Sequence, residues 1–479
     1  MRKTKIVCTL GPATDDKEIL KKLMSAGMSV ARINFSHGSY RDQEDRINLF
    51  KEAREEIGFP IPMLLDTQGP EIRIRNFEKG EAYLFNGEIF TLVCDKIVGD
   101  DTRVGITYEE LYKEVEPGRT ILINDGTIEI VVEEIVGIEI KCRVIHGGKL
   151  TNRKSVNIPD LKLSLPSITQ KDIEDIKYGI TAGFDYIAAS FVRKPEDVIA
   201  IREVLEQNGG SHIKIISKIE NREGVDNFTS ILDVTDGIMI ARGDLGVEIP
   251  IEEVPILQKR FIKEADRKAR PVITATQMLE SMISSPRPTR AEVSDVANAI
   301  YDASGSIMLS GETASGNFPV ECVEVMNRIA STIEEAIHYW ARFKKRDYNV
   351  SNFSHLFHMN YSVCLSAANI GAKAIVAYTN TGDTARILAS FGPACPIYAI
   401  TENEVTYRQL GLSWGVIPKL FEHQNSIDEL ITLGVGKLKQ DGFLQEGDII
   451  LVAGGAKIVQ SLQVGEDGIN HIMGGIVRI

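Results

Sequence analysis

A repeating run of short β-rich segments constrains this chain more than any other feature. The runs TKIVCTL, SVARINF, MLLDTQ, DYIAASFV, KIISKIE, GIMIARG, PVITATQ and SIMLSGE are each followed by a helical pattern, which makes eight βα units. Their ends, read at Leu10, Asn34, Asp66, Ser190, Lys218 or Glu220, Asp244, Thr276 and Glu312, lie 24 to 36 residues apart with one exception. From Asp66 to Ser190 the gap is 124 residues. A closed (β/α)₈ barrel repeats at roughly 30 residues per unit, so about 90 residues are inserted after the third strand. The expected fold is an α/β TIM barrel carrying a passenger.

The expected organisation has three parts. Residues 1–69 and 160–343 make the catalytic barrel, 70–159 an inserted all-β barrel or sandwich, and 344–479 a second α/β unit for regulation or oligomerisation. The insert alternates with period two through TIEIVVEEI, and Asp125-Gly126 sits between strand runs as a hairpin signal. Springing from a carboxyl-end loop, it should cover the barrel mouth as a lid. A single long helix is expected over 318–343 and another over 355–370. The strands KAIVAYT, PIYAIT, GVIPKL and DIILVAG follow, with GGIVRI as a possible edge.

Composition removes several function classes. The formal net charge of −13 argues against a general nucleic-acid or membrane-surface role. Six scattered cysteines without C-x-x-C spacing read as thiols of a reducing compartment. Neither a secretory leader nor a membrane-length apolar run is evident, and the expected location is cytoplasmic.

Three runs carry the chemistry: 216–221 (ISKIEN), 238–250 (IMIARGDLGVEIP) and 273–282 (ITATQMLESM). Each delivers polar groups at a strand's carboxyl end, where parallel α/β proteins bind ligands. Strand alternation puts Lys218 and Glu220 on one face, and Asp244 arrives from the next strand. Two carboxylates suit a hard divalent cation such as Mg²⁺, and the ammonium suits a phosphate or enolate oxygen. A bare K-x-E on a strand is otherwise a surface ion pair of little worth. Gly243 permits close backbone approach or merely a turn. In ARINFSHG, Arg32, Asn34 and Ser36 share a strand face, whereas His37 points away or begins the loop. In the last unit, YTNTGDTAR (378–386) presents Thr379, Thr381, Gly382 and Thr384 either to an effector anion or as a plain helix cap.

In order along the chain, TKIVCTLGPAT, ARINFSHG, DTQGPEIR, SKIEN, ARGDLGVEIP, TATQMLESM, PTRAEVSDVANAI and SGETASG together resemble the pyruvate kinases. The resemblance implies a barrel, a lid and an α/β C domain, and phosphoryl transfer from phosphoenolpyruvate to ADP. It implies Glu220 and Asp244 as ligands of Mg²⁺ or Mn²⁺, and Asn34, Ser36, Asp66 and Thr67 as the oxygen shell of K⁺. Lys218, Arg32, Arg73 and Thr276 take catalytic roles, with Gly243 and Asp244 at the substrate. Pro12, Asn34, His37, Arg73 and Lys154 contact the nucleotide. Glu71 marks potassium dependence, the effector loop is 379–384, and the assembly is a homotetramer. Asp42 replaces an aromatic residue and Asn124 an acidic one found in relatives. Two other readings use similar residues: a metal-dependent lyase acting on pyruvate-like enolates, and a silent scaffold. A lyase needs no nucleotide, so Lys154, Arg73 and the lid favour the kinase.

Overall fold

The computed structural model describes residues 2–36, 38–346, 354–424, 427–454 and 474–478. Eight parallel strands close into a barrel: Lys5–Thr9, Val30–Asn34, Met63–Asp66, Tyr186–Ala189, Lys214–Ile219, Gly237–Ala241, Val272–Ala275 and Ser306–Leu309, with the first paired to the last. All eight match the runs read from the sequence. Their outward residues pack on the surrounding helices in the largest apolar cluster of the molecule. Ile, Val and Leu dominate because a parallel strand is covered on both faces.

The insert folds around its own apolar cluster as a six-stranded sheet and a two-stranded one. The larger sheet curls until segment 73–77 spans its open side through single bridges, Arg73 to Ser155 and Ile74 to Ile106. Its hairpin turns where expected. Asn124, Asp125 and Gly126 all have positive φ, a conformation that Asn, Asp and Gly tolerate best.

The C-terminal unit is a five-stranded sheet in which Ala374–Tyr378 lies centrally and Gly474–Arg478 adds an antiparallel edge. It caps the barrel's amino end. Leu412 joins the apolar cluster inside the barrel, and the Tyr186 hydroxyl donates to the Gln409 carbonyl at 2.7 Å. The helix expected over 318–343 is two helices, Pro319–Ala336 and Tyr339–Lys345, with Ile337 extended between them. Tertiary contact explains the break, since Tyr339 turns to meet Trp414 at 5.2 Å between ring centroids.

Candidate active site

Parity decides which side chains enter the barrel, because alternate residues of each strand point inward. The inward set includes the apolar layer Val7, Val30, Leu64, Ala188, Ile216, Met239, Ile273 and Met308. Two residues further along the first five strands, the same parity places Thr9, Arg32, Asp66, Ser190 and Lys218. A polar layer therefore sits on an apolar floor.

These five side chains form one network. Arg32 donates through Nε to Asp66 Oδ2 at 2.6 Å and through Nη1 to Thr9 Oγ1 at 2.8 Å. Lys218 Nζ donates to Asp66 Oδ1 at 3.0 Å and to Ser190 Oγ at 2.7 Å, and Ser190 Oγ donates to the Thr67 carbonyl at 2.6 Å. Asp66 thus lies between the two cations and pairs with both. Burial acts to raise its carboxyl, but Arg32 and Lys218 outweigh that and hold it low. Burial likewise acts to lower the Lys218 ammonium, and Asp66 with Glu220 overcomes it, keeping Lys218 protonated above its ordinary range.

Glu220 lies beside Lys218 as alternation requires, with Oε1 3.0 Å from Nζ. Its Oε2 accepts from the Phe191 N–H at 2.6 Å, whereas the buried Oε1 has an ion-pair neighbour but no hydrogen bond. Burial pushes this carboxyl up, against the pull of Lys218, and the neighbouring Asp244 pushes it further. Asp244 enters from the first turn of the helix Arg242–Glu248. An orphaned oxygen beside a second carboxylate is an all-oxygen pair that fits Mg²⁺ or Mn²⁺, ions that keep water or substrate oxygens in their other positions. Among the described residues no group of three or more His, Cys, Asp or Glu forms a complete metal cage.

For a monovalent cation the geometry is also suitable. Asn34 and Asp66 are register partners at adjacent strand ends, and the Asn34 Oδ1 accepts from the Ser36 N–H at 3.0 Å. That brings Asn34, Ser36, Asp66 and Thr67 to one rim, mostly as neutral oxygens. Glu71 lies nearby, its Oε2 meeting Arg73 Nε at 2.8 Å and Nη2 at 2.7 Å. Burial raises Glu71 and Arg73 opposes it, while Asp244 and Lys218 are near enough to influence it.

The other expected residues are less tightly gathered. Gly243 donates its N–H to Thr276 Oγ1 at 2.7 Å, and a Cβ at Gly243 would stand 3.4 Å from that hydroxyl. Thr276 Oγ1 in turn donates to the Ala275 carbonyl at 2.7 Å. Arg73 Nη1 donates to the Arg153 carbonyl at 2.7 Å, which ties the barrel exit to the lid segment holding Lys154. Pro12 begins a single turn beyond the first strand. His37 lies outside the described residues. Asp42 caps its own helix, accepting from the Ser39 N–H at 2.9 Å. In the C domain the Gly382 N–H is taken by Thr379 Oγ1 at 2.8 Å and Thr381 Oγ1 donates to Asp383 at 2.8 Å. Thr384 is buried in the following helix. This loop lies far from Lys218, toward the barrel's amino end.

Reading the sequence missed Thr9 and, as a functional group, Ser190, although counting parity along the strands finds both. It also missed Arg242 and Asp295. Arg242 pairs with both oxygens of Asp295 at 2.7 Å and donates to the Ala275 and Thr276 carbonyls at 3.3 and 2.8 Å. Over the site, the Asn157 amide of the lid donates to Glu248 at 2.7 Å beside a cleft between lid and barrel. Burial pushes the Glu248 carboxyl up to about 7.

Comparison with known proteins agrees with this architecture. A family model described as "Pyruvate kinase, barrel domain" matches residues 1–323, and "Pyruvate kinase, alpha/beta domain" matches residues 358–464. The chain is 48% identical over 459 residues to a pyruvate kinase of Clostridium perfringens (strain 13 / Type A), covering 95% of this chain and 96% of that one. It is 47% identical over 475 residues to the pyruvate kinase of Bacillus licheniformis, covering 99% of this chain and 80% of that one. A crystal structure of a pyruvate kinase from Cryptosporidium parvum superposes with a TM-score of 0.93 at 38% identity, covering 100% of this chain and 96% of the other. With both domains matched, relatives aligned almost end to end and the barrel mouth charged as described, the chain belongs to the pyruvate kinase family.

Proposed function

We propose that the polar layer of the barrel mouth carries out the family reaction, transfer of the phosphoryl group of phosphoenolpyruvate to ADP, giving pyruvate and ATP. The phosphorus–oxygen bond to the enolate oxygen breaks as one to a β-phosphate oxygen of ADP forms. Its electron pair stays on the enolate, whose methylene carbon then takes a proton. Negative charge develops on the phosphoryl and then on the enolate oxygen, so the useful groups are fixed positive ones in a dry setting.

The single observation carrying this reading is the buried network in which one carboxylate, Asp66, lies between Lys218 and Arg32 and pairs with both. In this reading Lys218 stabilises the enolate oxygen and the moving phosphoryl, and Arg32 and Arg73 hold phosphoryl oxygens with their guanidinium forks. The backbone at Gly243 and Asp244 receives the substrate carboxylate, where no Cβ intrudes at Gly243. Thr276 faces the methylene carbon. Its hydroxyl has no useful acidity, so it orients a water that gives the proton. Pro12, Asn34, His37, Arg73 and Lys154 form the nucleotide face.

Glu220 and Asp244 would hold Mg²⁺ or Mn²⁺, and Asn34, Ser36, Asp66 and the Thr67 backbone would hold K⁺. When bound, these ions supply positive charge opposite the phosphate and carboxylate of the substrate. The loop at Thr379, Thr381, Gly382 and Thr384 would take an effector phosphate in competition with Asp383. Residues 70–159 act as the lid and 344–479 as the regulatory domain. Exposed Ile251 and Ile256 support assembly into a homotetramer. No described helix is long and apolar enough to cross a membrane, and six free buried thiols suit a reducing cytoplasm.

Titration with Mn²⁺ followed by water-proton relaxation tests the site directly. Glu220→Gln and Asp244→Asn should each weaken Mn²⁺ binding, and unchanged affinity in both would remove the metal assignment. An assay supplying phosphoenolpyruvate, ADP, Mg²⁺ and K⁺ should yield pyruvate and ATP together. Failure to form either at saturation overturns the reading.

A further inference from the structure

Ser190 directly follows the fourth barrel strand, Tyr186–Ala189, whose neighbours in the sheet are the third and the fifth. It is buried, and its backbone is held from two sides. The Ser190 N–H donates to Thr67 Oγ1 at 3.2 Å, and Gly69 packs so closely that a Cβ there would stand 2.9 Å from the Ser190 Cβ. The next residue, Phe191, is left-handed at φ 56° and gives its N–H to Glu220 Oε2 at 2.6 Å. A bulky residue persists in that conformation only where its surroundings impose it. The turn therefore fixes where the Ser190 hydroxyl sits.

A serine hydroxyl has one proton to give and lone pairs to accept with. Two acceptors are near, the Thr67 carbonyl at 2.6 Å and Asp66 Oδ1 at 3.3 Å. While Lys218 occupies Asp66 Oδ1 at 3.0 Å, the nearer carbonyl holds the hydroxyl proton. The Ser190 oxygen then turns its lone pairs to Lys218, whose Nζ donates to it at 2.7 Å. An ammonium carries three protons in tetrahedral array. Asp66 takes one and Ser190 another, so rotation about the Cε–Nζ bond is locked and the third N–H has a single direction. Glu220 Oε1 lies 3.0 Å from Nζ without forming a hydrogen bond, which leaves that third proton for an oxygen of the substrate. Asp66 and Glu220 balance the charge of Lys218. The neutral hydroxyl supplies direction.

We propose that Ser190 is a positioning residue of phosphoryl transfer: its hydroxyl, pinned on the Thr67 carbonyl, aims the third N–H of Lys218 at the oxygen from which the phosphoryl group departs. This rests on the functional reading above, in which Lys218 stabilises that oxygen and the moving phosphoryl. Without the serine oxygen, the ammonium keeps both carboxylates but turns freely about Cε–Nζ. Misdirection of a positioned group is costly in rate. Nucleotide binding, made by other residues, is spared.

Steady-state kinetics of single and double variants of the full-length enzyme test this. In Ser190→Ala, kcat should fall at least about tenfold while the KM for ADP moves by less than about twofold. Two readouts other than turnover should hold steady: Mn²⁺ affinity from water-proton relaxation, and the melting temperature. Combined with Lys218→Met, Ser190→Ala should leave turnover within about twofold of Lys218→Met alone, because a residue acting through Lys218 has nothing left to aim. A kcat for Ser190→Ala within about twofold of the unaltered enzyme overturns the proposal, and so does recurrence of the full loss in the Lys218→Met background. Loss of Mn²⁺ affinity as large as the loss of kcat overturns it too, since the turn would then be serving Glu220 through the Phe191 N–H. Should Ser190→Ala fail to fold, Ser190→Cys is held to the same limits, its sulfur being a weak acceptor. Failure of the functional reading looks different: unaltered protein that forms neither pyruvate nor ATP removes the reaction itself, whereas an active enzyme indifferent to Ser190→Ala removes only the role of the serine.

Discussion

Lys218 stays charged although it is almost wholly buried, because Asp66 and Glu220 more than offset the cost of burial. Replacing it with methionine leaves Asp66 its bonds to Arg32 and Ser190, so the fold should persist. Turnover should fall by about a hundredfold or more, since charge stabilisation in a dry site exceeds its value in water. Steady-state kinetics with a melting curve checks both statements, and retention of more than about a tenth of the activity would show another group carries the charge. Glu71 sets a second residue-scale expectation. Its carboxylate, paired with Arg73, stands beside the rim suited to K⁺, and a lysine there would place an ammonium near the same substrate phosphate. Activity of the unaltered enzyme should rise steeply with K⁺ at constant ionic strength, and Glu71→Lys should lose most of that rise. Full activity in a buffer whose monovalent cations are all bulky and organic would refute the dependence. The pairing of Lys218 with Glu220 was legible from alternation, whereas a role for Asp66 came only from the family resemblance. Arg242 was not legible, because its partner Asp295 lies 53 residues away on a helix.

Among the elements, the end of the seventh barrel strand is the most strained. Thr276 and Gln277 are both left-handed, with φ of 68° and 53°, and a β-branched residue in that region costs about 1–3 kcal/mol. Arg242 offsets the strain by donating to the carbonyls of Ala275 and Thr276 while Asp295 grips it from behind. Asp295→Asn keeps the size but surrenders the ion pair. Turnover should drop by about tenfold or more, because small displacements of a positioned group are expensive, while the KM for ADP changes little. Equal loss in kcat and in nucleotide affinity would point to general unfolding instead. Sequence periodicity located each barrel strand. It joined Pro319–Ala336 and Tyr339–Lys345 into one helix, because the contact of Tyr339 with Trp414 in another domain leaves no trace in local periodicity.

At the scale of the whole molecule, the barrel and C domain are joined by a buried ion pair. Arg408 Nε meets Asp185 Oδ1 at 3.0 Å, and Asp185 Oδ2 accepts from the Met63 N–H at 3.0 Å. Burial raises the Asp185 carboxyl, and Arg408 is the main force pulling it down. Arg408→Met should therefore destabilise the protein by about 3–5 kcal/mol at neutral pH, by stranding a buried charge. The sign with pH is definite: the variant's Asp185 titrates higher when folded than when unfolded, so its folded state binds the proton more tightly. Its deficit should shrink as pH falls through that raised pKa and persist above it. Melting temperatures of both proteins across this range measure it, and a deficit independent of pH would assign the loss to packing. The sequence by itself determined the eight strands, the place of the insertion, and the residue types at the strand ends, because side-chain parity and the βα repeat are local properties of the chain. Only the tertiary structure decided that Asp66 lies between Lys218 and Arg32, that Arg242 and Asp295 brace Thr276, and that Arg408 of the C domain meets Asp185 of the barrel. Those arrangements depend on how the barrel closes and how the domains meet, and no local period in the sequence encodes either.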